Sequence, residues 1–516
     1  MNLLTDPLIP VFTSQGREYR SLPGLLAGLG DDSVQRIDGL QRHQEDTFHV
    51  FLCYLAGAVL ARDGDWNPVR SEDFWRESLH LLAGEAGDDA WSLVVDDLSK
   101  PAFMQPPLPK ADHDRLKLLA KTPDALDLLQ TAKNHDVKQA RAEQPEPFEW
   151  LYALISLQTM SGFLGSGKYG IARMNGGHGN RPVVEMVRSR EQAPRWRDAV
   201  LRLQDHRHQV LDGSIPFRED GLVLVWLRTW DGKASLDLSE LDPFFLEICR
   251  RLRLYGNNDH IESAADTTSK VPRIAAKELK GLIKDAWLPV DLSGKEGAKA
   301  LTVSANGWTA DLMRRILFQD TIRRTRLQEP GEDWQGDTWL LASVLVRGQG
   351  TTDGFHERHL PIPAHAKRRL FKLQQDDPLA ILARESIELA GLMRNRVLKP
   401  AVFAIMQGAP EKLAFDDDTA NAWWKRFTAR FETLWSDDYF PWLWSLPDPL
   451  DKDQARLDWT DRIKRHAETV LQEAEQALPR HTGRLWHARV AAGRAFYGAL
   501  HKHFPDLKEA RHEHIA

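Results

Sequence analysis

The stretch Trp339-Leu340-Leu341-Ala342-Ser343-Val344-Leu345-Val346-Arg347-Gly348-Gln349-Gly350-Thr351-Thr352-Asp353-Gly354 sits at the turning point of the sequence. Its first half is a run of apolar, partly branched residues of strand type. Its second half, Arg347 to Gly354, gathers the glycine, threonine and aspartate that reverse a chain. A return strand through Leu360 and Ile362 completes a predicted β-hairpin with a polar tip. Upstream of it, short strands, helices and Gly/Pro-rich loops are mixed; beyond Lys372 almost every segment has helical spacing. That contrast predicts an α+β fold, with a large mixed N-terminal domain over residues 1–372 and a C-terminal four-helix bundle over residues 373–516.

Outward from the hairpin, further strand candidates are Leu3 to Phe12, Pro182 to Val187, Leu222 to Trp230 and Ala300 to Ala305. The spacing predicts helices over Asp46 to Ala61 and over Leu241 to Tyr255, the second with Pro243 in its first turn, where a missing N–H is tolerated. In the bundle, apolar residues recur at steps of three and four along four segments. The first runs through Leu382, Leu389, Met393 and Val397 and stops at Lys399-Pro400. The second runs through Ala420, Trp424, Phe427, Phe431 and Leu434, with Asp416 to Asp418 placed to cap it. The third follows Trp459, Ile463, Ala467, Val470, Ala474 and Ala477, and the last follows Trp486, Val490, Gly493, Tyr497, Leu500 and Phe504.

Composition narrows the function classes. A chain of 516 residues, 42% hydrophobic and 28% charged, has material for more than one core, and no segment approaches the ~18 uninterrupted apolar residues of a membrane span. Met1-Asn2-Leu3-Leu4-Thr5-Asp6 lacks the basic and apolar regions of a signal peptide, and Cys53 and Cys249, in apolar surroundings, read as buried thiols. A cytoplasmic protein is therefore expected. The formal net charge of -6 excludes a protein that grips nucleic acid over its whole surface, so any such contact is local. The 18 tryptophans, among them Trp423-Trp424, Trp442 and Trp444, fall in periodic apolar contexts and read as packing.

Gly162-Phe163-Leu164-Gly165-Ser166-Gly167-Lys168-Tyr169 satisfies the phosphate-loop pattern up to its last position, where Tyr169 stands in place of the Ser or Thr that holds magnesium. Glu149 to Met160 before it looks helical, so the required strand is missing too. What remains is glycine: Gly162, Gly165, Gly167, Gly170, Gly176, Gly177 and Gly179, interleaved with Lys168, Arg173 and Arg181. Bare backbone of this kind lets phosphates or a minor groove approach peptide N–H groups, with the cations supplying local charge. A surface loop of no consequence has the same composition.

Within Lys133-Asn134-His135-Asp136-Val137-Lys138 the adjacent His and Asp match half of an HD-type metal site, but further ligands are not evident. Phe355-His356-Glu357-Arg358-His359 falls on the predicted hairpin and is not read as a metal site. The densest basic grouping is Arg314, Arg315, Arg323, Arg324, Arg326, Lys367, Arg368, Arg369 and Lys372, which by itself also fits a solvated face.

In their order along nearly the whole chain, these pieces resemble the CasA family, the large subunit of the type I-E CRISPR surveillance complex Cascade. Asn2-Leu3-Leu4-Thr5-Asp6-Pro7-Leu8-Ile9-Pro10-Val11 is similar to the family's opening, with Leu8 where a Trp is usual, and Phe103-Met104-Gln105 matches a further signature. The resemblance implies a non-catalytic protein that recognises a protospacer-adjacent motif in double-stranded DNA and helps to open the duplex. It implies that Gly162, Gly165 and Gly167, beside Lys168, form a loop approaching the motif from the minor groove. A family lysine entering the same groove falls on Lys277, with Lys280 as the second choice. Thr351 and Thr352, with Gln349 nearby, stand where the family has an amide-bearing wedge. Lys133, Asn134, His135 and Lys138 lie where the family contacts the guide RNA and neighbouring subunits. The partners implied are other Cascade subunits, CRISPR guide RNA, target DNA and a helicase-nuclease, with no cofactor, metal or membrane. The alternatives are a nucleotide- or metal-dependent hydrolase using Lys168 or His135 and Asp136, and an architectural subunit that docks RNA.

Overall fold

The structure, a computed structural model, describes residues 1–128, 145–177, 179, 181–257, 259–331, 333–348, 351–371, 377–477 and 485–507. They form two compact units: Met1–Trp308 with Gln319–Ala364, and Thr309–Phe318 with His365–Ala516. The mixed fold with a helical C-terminal region matches the α+β expectation. The division differs from one at residue 372, because the second unit starts at His365 and takes in Thr309–Phe318 from the middle of the sequence. The helix Ala310–Leu317 in that insert, capped by Thr309, buries Met313, Ile316 and Leu317. Its apolar face packs on helices of the second unit, which a linear composition shift does not reveal.

The first unit is built on the helix Arg42–Asp63, in which Val50 through Leu60 are all buried. A helix apolar on every side belongs inside a core. It starts at a capping box made by Gln41 and Gln44 and ends at Gly64, whose φ of 84° is the left-handed conformation that closes helices. Helices Pro147–Met160 and Gln192–Leu211 pack against it. An antiparallel sheet lies beside them in the order Thr351–Ile362, Thr338–Gly348, Val183–Val187. The predicted hairpin is thus present, with a third strand on its inner edge.

A buried ion network fixes that sheet. Asp46 pairs with Arg195 at 2.7 Å and accepts a hydrogen bond from Ser343 of the hairpin; Arg195 also pairs with Glu185 at 2.7 Å. His49 lies 3.1 Å from Glu185, and Trp287 Nε1 donates to it at 3.2 Å. Burial pushes the Glu185 carboxyl up, but Arg195 and His49 outweigh it and hold it well below the usual carboxylate range. Charge is retained inside because each member has an opposite neighbour.

Two strands replace the helix predicted over Leu241 to Tyr255: Leu241–Leu246, parallel to Leu222–Leu224, and Arg251–Gly256, which joins Ile261–Thr267 and Lys117–Ala120 in an antiparallel sheet. All six residues of Leu241–Leu246 are buried, and a short apolar run buried on both faces has no period that separates strand from helix. Other strands are shorter than expected. Leu222 to Trp230 turns into a tight helical turn at Val225–Leu227, Ala300 to Ala305 contributes only through Lys299–Ala300, and the first strand is Ile9–Thr13.

In the second unit, the segment expected to stop at Lys399-Pro400 runs on. Pro378–Leu392 passes through a π-helical turn, Met393–Leu398, into Lys399–Met406, and the widened turn accommodates a proline ring and its missing N–H. Asp418–Ser445, Lys452–Ala477 and Leu485–His503 complete the set, and Asp417 caps the first of them by accepting from Ala420 N at 2.9 Å. The buried face of Leu485–His503 is Ala488, Ala492, Phe496 and Leu500, leaving Trp486 and Tyr497 exposed against expectation. Small residues win there because they allow close packing against Lys399–Met406.

Trp459 is the centre of this unit: fully buried, 4.6 Å from the Trp442 ring, with Nε1 donating to Ser386 O at 2.7 Å. Trp459→Ala leaves a cavity and removes the Nε1 hydrogen bond, with an expected loss of about 3–5 kcal/mol in chemical denaturation. A loss below about 1 kcal/mol would contradict the packing described.

Candidate nucleic-acid interface

The glycine-rich segment leaves the helix Pro147–Met160 and folds back on itself. Phe163 N donates to Gly177 O at 2.8 Å, Ile171 N to Ser161 O at 3.0 Å, and Lys168 N to Gly165 O at 3.0 Å. A side chain at Gly162 would overlap the Gly179 carbonyl and sit 2.7 Å from that of Gly177, so two stretches of backbone touch there. Gly167, at φ 80°, leaves room for Thr268, whose Cβ would be 2.6 Å from an added methyl. Gly165, at φ 125°, faces open space. Of the three expected positions, two therefore shape the loop and one presents bare backbone.

The cations of the segment turn inward. Lys168 Nζ lies 2.7 Å from Asp266, and Arg173 and Arg181, both buried, sit 3.4 Å and 2.5 Å from Asp285. The Arg173 guanidinium also stacks 3.7 Å over the Phe245 ring. They pin the loop rather than charge its surface. Arg250, buried beneath, donates to Ser161 Oγ at 2.7 Å, to Gly162 O and Cys249 O at 3.0 Å, and to Tyr169 O. Glu247 accepts from Ala172 N at 2.6 Å, and burial pushes its carboxyl up to about 7 despite Arg173 and that N–H.

Outward charge comes from elsewhere. A groove of about 1010 Å³ has Phe163, Tyr169, Gly170, Gly176 and Gly177 on its walls, together with Lys270, Lys277, Lys280, Lys295 and Lys299. The acid on these walls, among the described residues, is Glu296, already 3.3 Å from Lys280. Lys277 is exposed on the turn Lys277–Leu279, and its amine has no partner among the described residues. The structure thus brings Lys277 and Lys280 to the glycine segment, while Gly162, Gly165, Gly167 and Lys168 are near in the chain but not on the groove wall. Sequence reading missed Lys270, Lys295 and Lys299. The signal for two of them was Gly294-Lys295-Glu296-Gly297, a second glycine-and-lysine loop.

The hairpin ladder closes at Gly348 opposite Thr351. Thr351 and Thr352 are therefore paired strand residues, not a turn; the eight-residue tip expected from Arg347 to Gly354 shrinks because threonine favours the ladder. Gln349 lies outside the described residues, as do Lys133, Asn134, His135 and Lys138. His356 and His359 stand an odd number of residues apart on one strand, hence on opposite faces, and do not share a ligand position. The basic grouping around the hairpin is divided: Arg323 and Arg326 belong to the first unit, Arg314 and Arg368 to the second.

No protein-family model and no curated protein matches the sequence. Solved structures do match. Thermobifida fusca Cse1 superimposes with a TM-score of 0.66 at 14% identity, covering 98% of each chain. The CRISPR-associated protein Cse1 from Acidimicrobium ferrooxidans gives 0.62 at 15% identity, covering 97% of this chain and 98% of that one. Thermus thermophilus CasA (Cse1) gives 0.62 at 15% identity, covering 96% and 99%. At the level of fold, the CasA resemblance holds along nearly the whole chain.

The raised Glu247 pKa has a measurable consequence. The folded protein holds a proton that the unfolded chain gives up between about pH 4.5 and 7, so this contribution to stability is complete below about 4.5 and lost as pH rises through 7. Glu247→Gln removes that slope. Relative to the parent protein, its stability is expected to improve by about 3 kcal/mol between pH 4 and pH 8, measured by denaturant titration at each pH. Parallel pH profiles would contradict the assignment.

Proposed function

We propose that this chain, which has the Cse1/CasA fold, is the non-catalytic large subunit of a type I-E Cascade complex. It recognises a protospacer-adjacent motif in double-stranded DNA and helps to open the duplex for guide RNA pairing. The observation that carries the reading is the lysine groove walled by bare glycine backbone, set in a protein whose net charge is -6. Local cations without a global basic surface suit a subunit that touches one short piece of duplex while guide pairing supplies sequence specificity. Glycine backbone fits the narrow minor groove, whose degenerate code gives tolerance of several related motifs.

In this reading Lys277 enters the minor groove, Gly165, Gly176 and Gly177 lie against its walls, and Lys270, Lys295 and Lys299 hold flanking phosphates. The hairpin, with Gln349, Thr351 and Thr352 at its end, is the wedge. Lys133, Asn134, His135 and Lys138 belong to the contact with guide RNA and neighbouring subunits. Strand cutting falls to a recruited helicase-nuclease, and the complex works in the cytoplasm. A nucleotide hydrolase is disfavoured by Tyr169, whose hydroxyl donates to Lys270 O at 2.8 Å, and by the helix where a core strand is required.

The test is binding of motif-bearing duplex by the complex assembled with and without this chain. Lys277→Ala and the pair Lys295→Ala with Lys299→Ala are expected to weaken duplex binding while assembly persists. Each lysine lost from a phosphate contact lowers the slope of log affinity against log salt by about 0.9. Unchanged duplex affinity in all these variants would favour an architectural, RNA-docking subunit instead.

A further inference from the structure

The neck of the hairpin carries a cation that the reading above leaves without a task. Arg347 is half-buried and, among the described residues, its side chain makes no hydrogen bond or ion pair. The ladder shifts register beside it: Val346 faces Gly354 and Arg347 faces Thr352, so Asp353 is the extra residue of a β-bulge. Gly354, at φ 115° with open space around it, permits the irregularity. Bulges re-aim the side chains next to them. Here the re-aimed guanidinium does not meet the nearest acid in sequence, for Asp353 is exposed and pairs with nothing described.

The neighbour that does act on Arg347 has the same sign. Burial first, and then the Arg250 guanidinium, depress its pKa. Arg250 spends its donors on backbone carbonyls and a hydroxyl, none of which neutralises it. A half-buried guanidinium with no carboxylate paired to it among the described residues, and with a second positive charge adding to its field, is a group that an anion completes. A planar fork of donors suits phosphate in particular.

We propose that Arg347 is a phosphate-binding residue: its guanidinium takes a backbone phosphate of a DNA strand as that strand parts from its complement at the hairpin. This rests on the duplex-opening reading given above. The contact forms with a separated strand, so it stabilises the opened state rather than the initial encounter with the motif.

The experiment uses the assembled complex with Arg347→Gln or Arg347→Lys and three DNAs. These are a fully paired target, a target with a mismatched bubble beside the motif, and a motif-bearing duplex without guide complementarity. Arg347→Gln is expected to weaken the first two about tenfold and to lower their salt slope by about 0.7–0.9, leaving the third unchanged. Arg347→Lys keeps the charge and retains the slope. Wild-type affinity and slope on the bubble target, an equal loss on the duplex that does not open, or a slope lost equally in Arg347→Lys would each overturn the proposal. The two failures are separable: a wild-type complex with no preference for motif-bearing duplex overturns the functional reading, whereas intact preference with an Arg347→Gln complex indistinguishable from it overturns the role of Arg347 alone.

Discussion

A single buried guanidinium, that of Arg250, sets the shape on which the groove depends. A glycine-rich loop has no side chains to pack, and its carbonyls need partners once they leave water. Arg250 supplies them for Gly162, Cys249 and Tyr169, and holds Ser161 as well. Arg173 and Arg181, paired with Asp285, and Glu247, bound to Ala172 N, tie the other limb of the loop to the core. The result is exposed backbone on a rigid footing, a combination that solvent-facing side chains do not provide.

The division of labour among cations follows from that arrangement. Arginines, with several donors in a fixed plane, are used inside to satisfy carbonyls and carboxylates; lysines, which are compact hydrated charges on long stems, line the groove outside. This is why a protein of net charge -6 has a strongly cationic site. Many of its acids are placed where they neutralise internal arginines, as Asp242 does for Arg207 at 2.7 Å, and among the described residues the groove wall carries five lysines against Glu296. The network of Asp46, Arg195 and Glu185 does for the hairpin what Arg250 does for the loop: it fixes the element to the core through Ser343.

Much of this was legible in the sequence where period, length or turn chemistry was unambiguous. The Asp417-capped helix carried a long repeat at steps of three and four, the helix around Val50 to Leu60 announced itself by an apolar run longer than a strand, and the hairpin strand from Trp339 by its branched residues and the turn residues that follow. The failures share a cause. In Leu241 to Tyr255 a strand buried on both faces has no alternation to read, and at Ala488 and Ala492 close packing favoured small residues over the large ones that mark a stripe. The candidate site was half visible. Glycines announced a loop, but Lys168, Arg173 and Arg181 were credited with surface charge that burial and ion pairing remove, whereas Lys270, Lys295 and Lys299 come together only through folding.

If bare backbone and lysine read the minor groove, the chemistry of the motif's two faces separates the accounts. The direct measurement is affinity of the assembled complex for motif duplexes in which guanine is replaced by inosine, which removes the minor-groove amino group, or by 7-deazaguanine, which removes a major-groove acceptor. Altered binding with inosine and unaltered binding with 7-deazaguanine is the predicted result. Sensitivity to 7-deazaguanine alone would contradict the account.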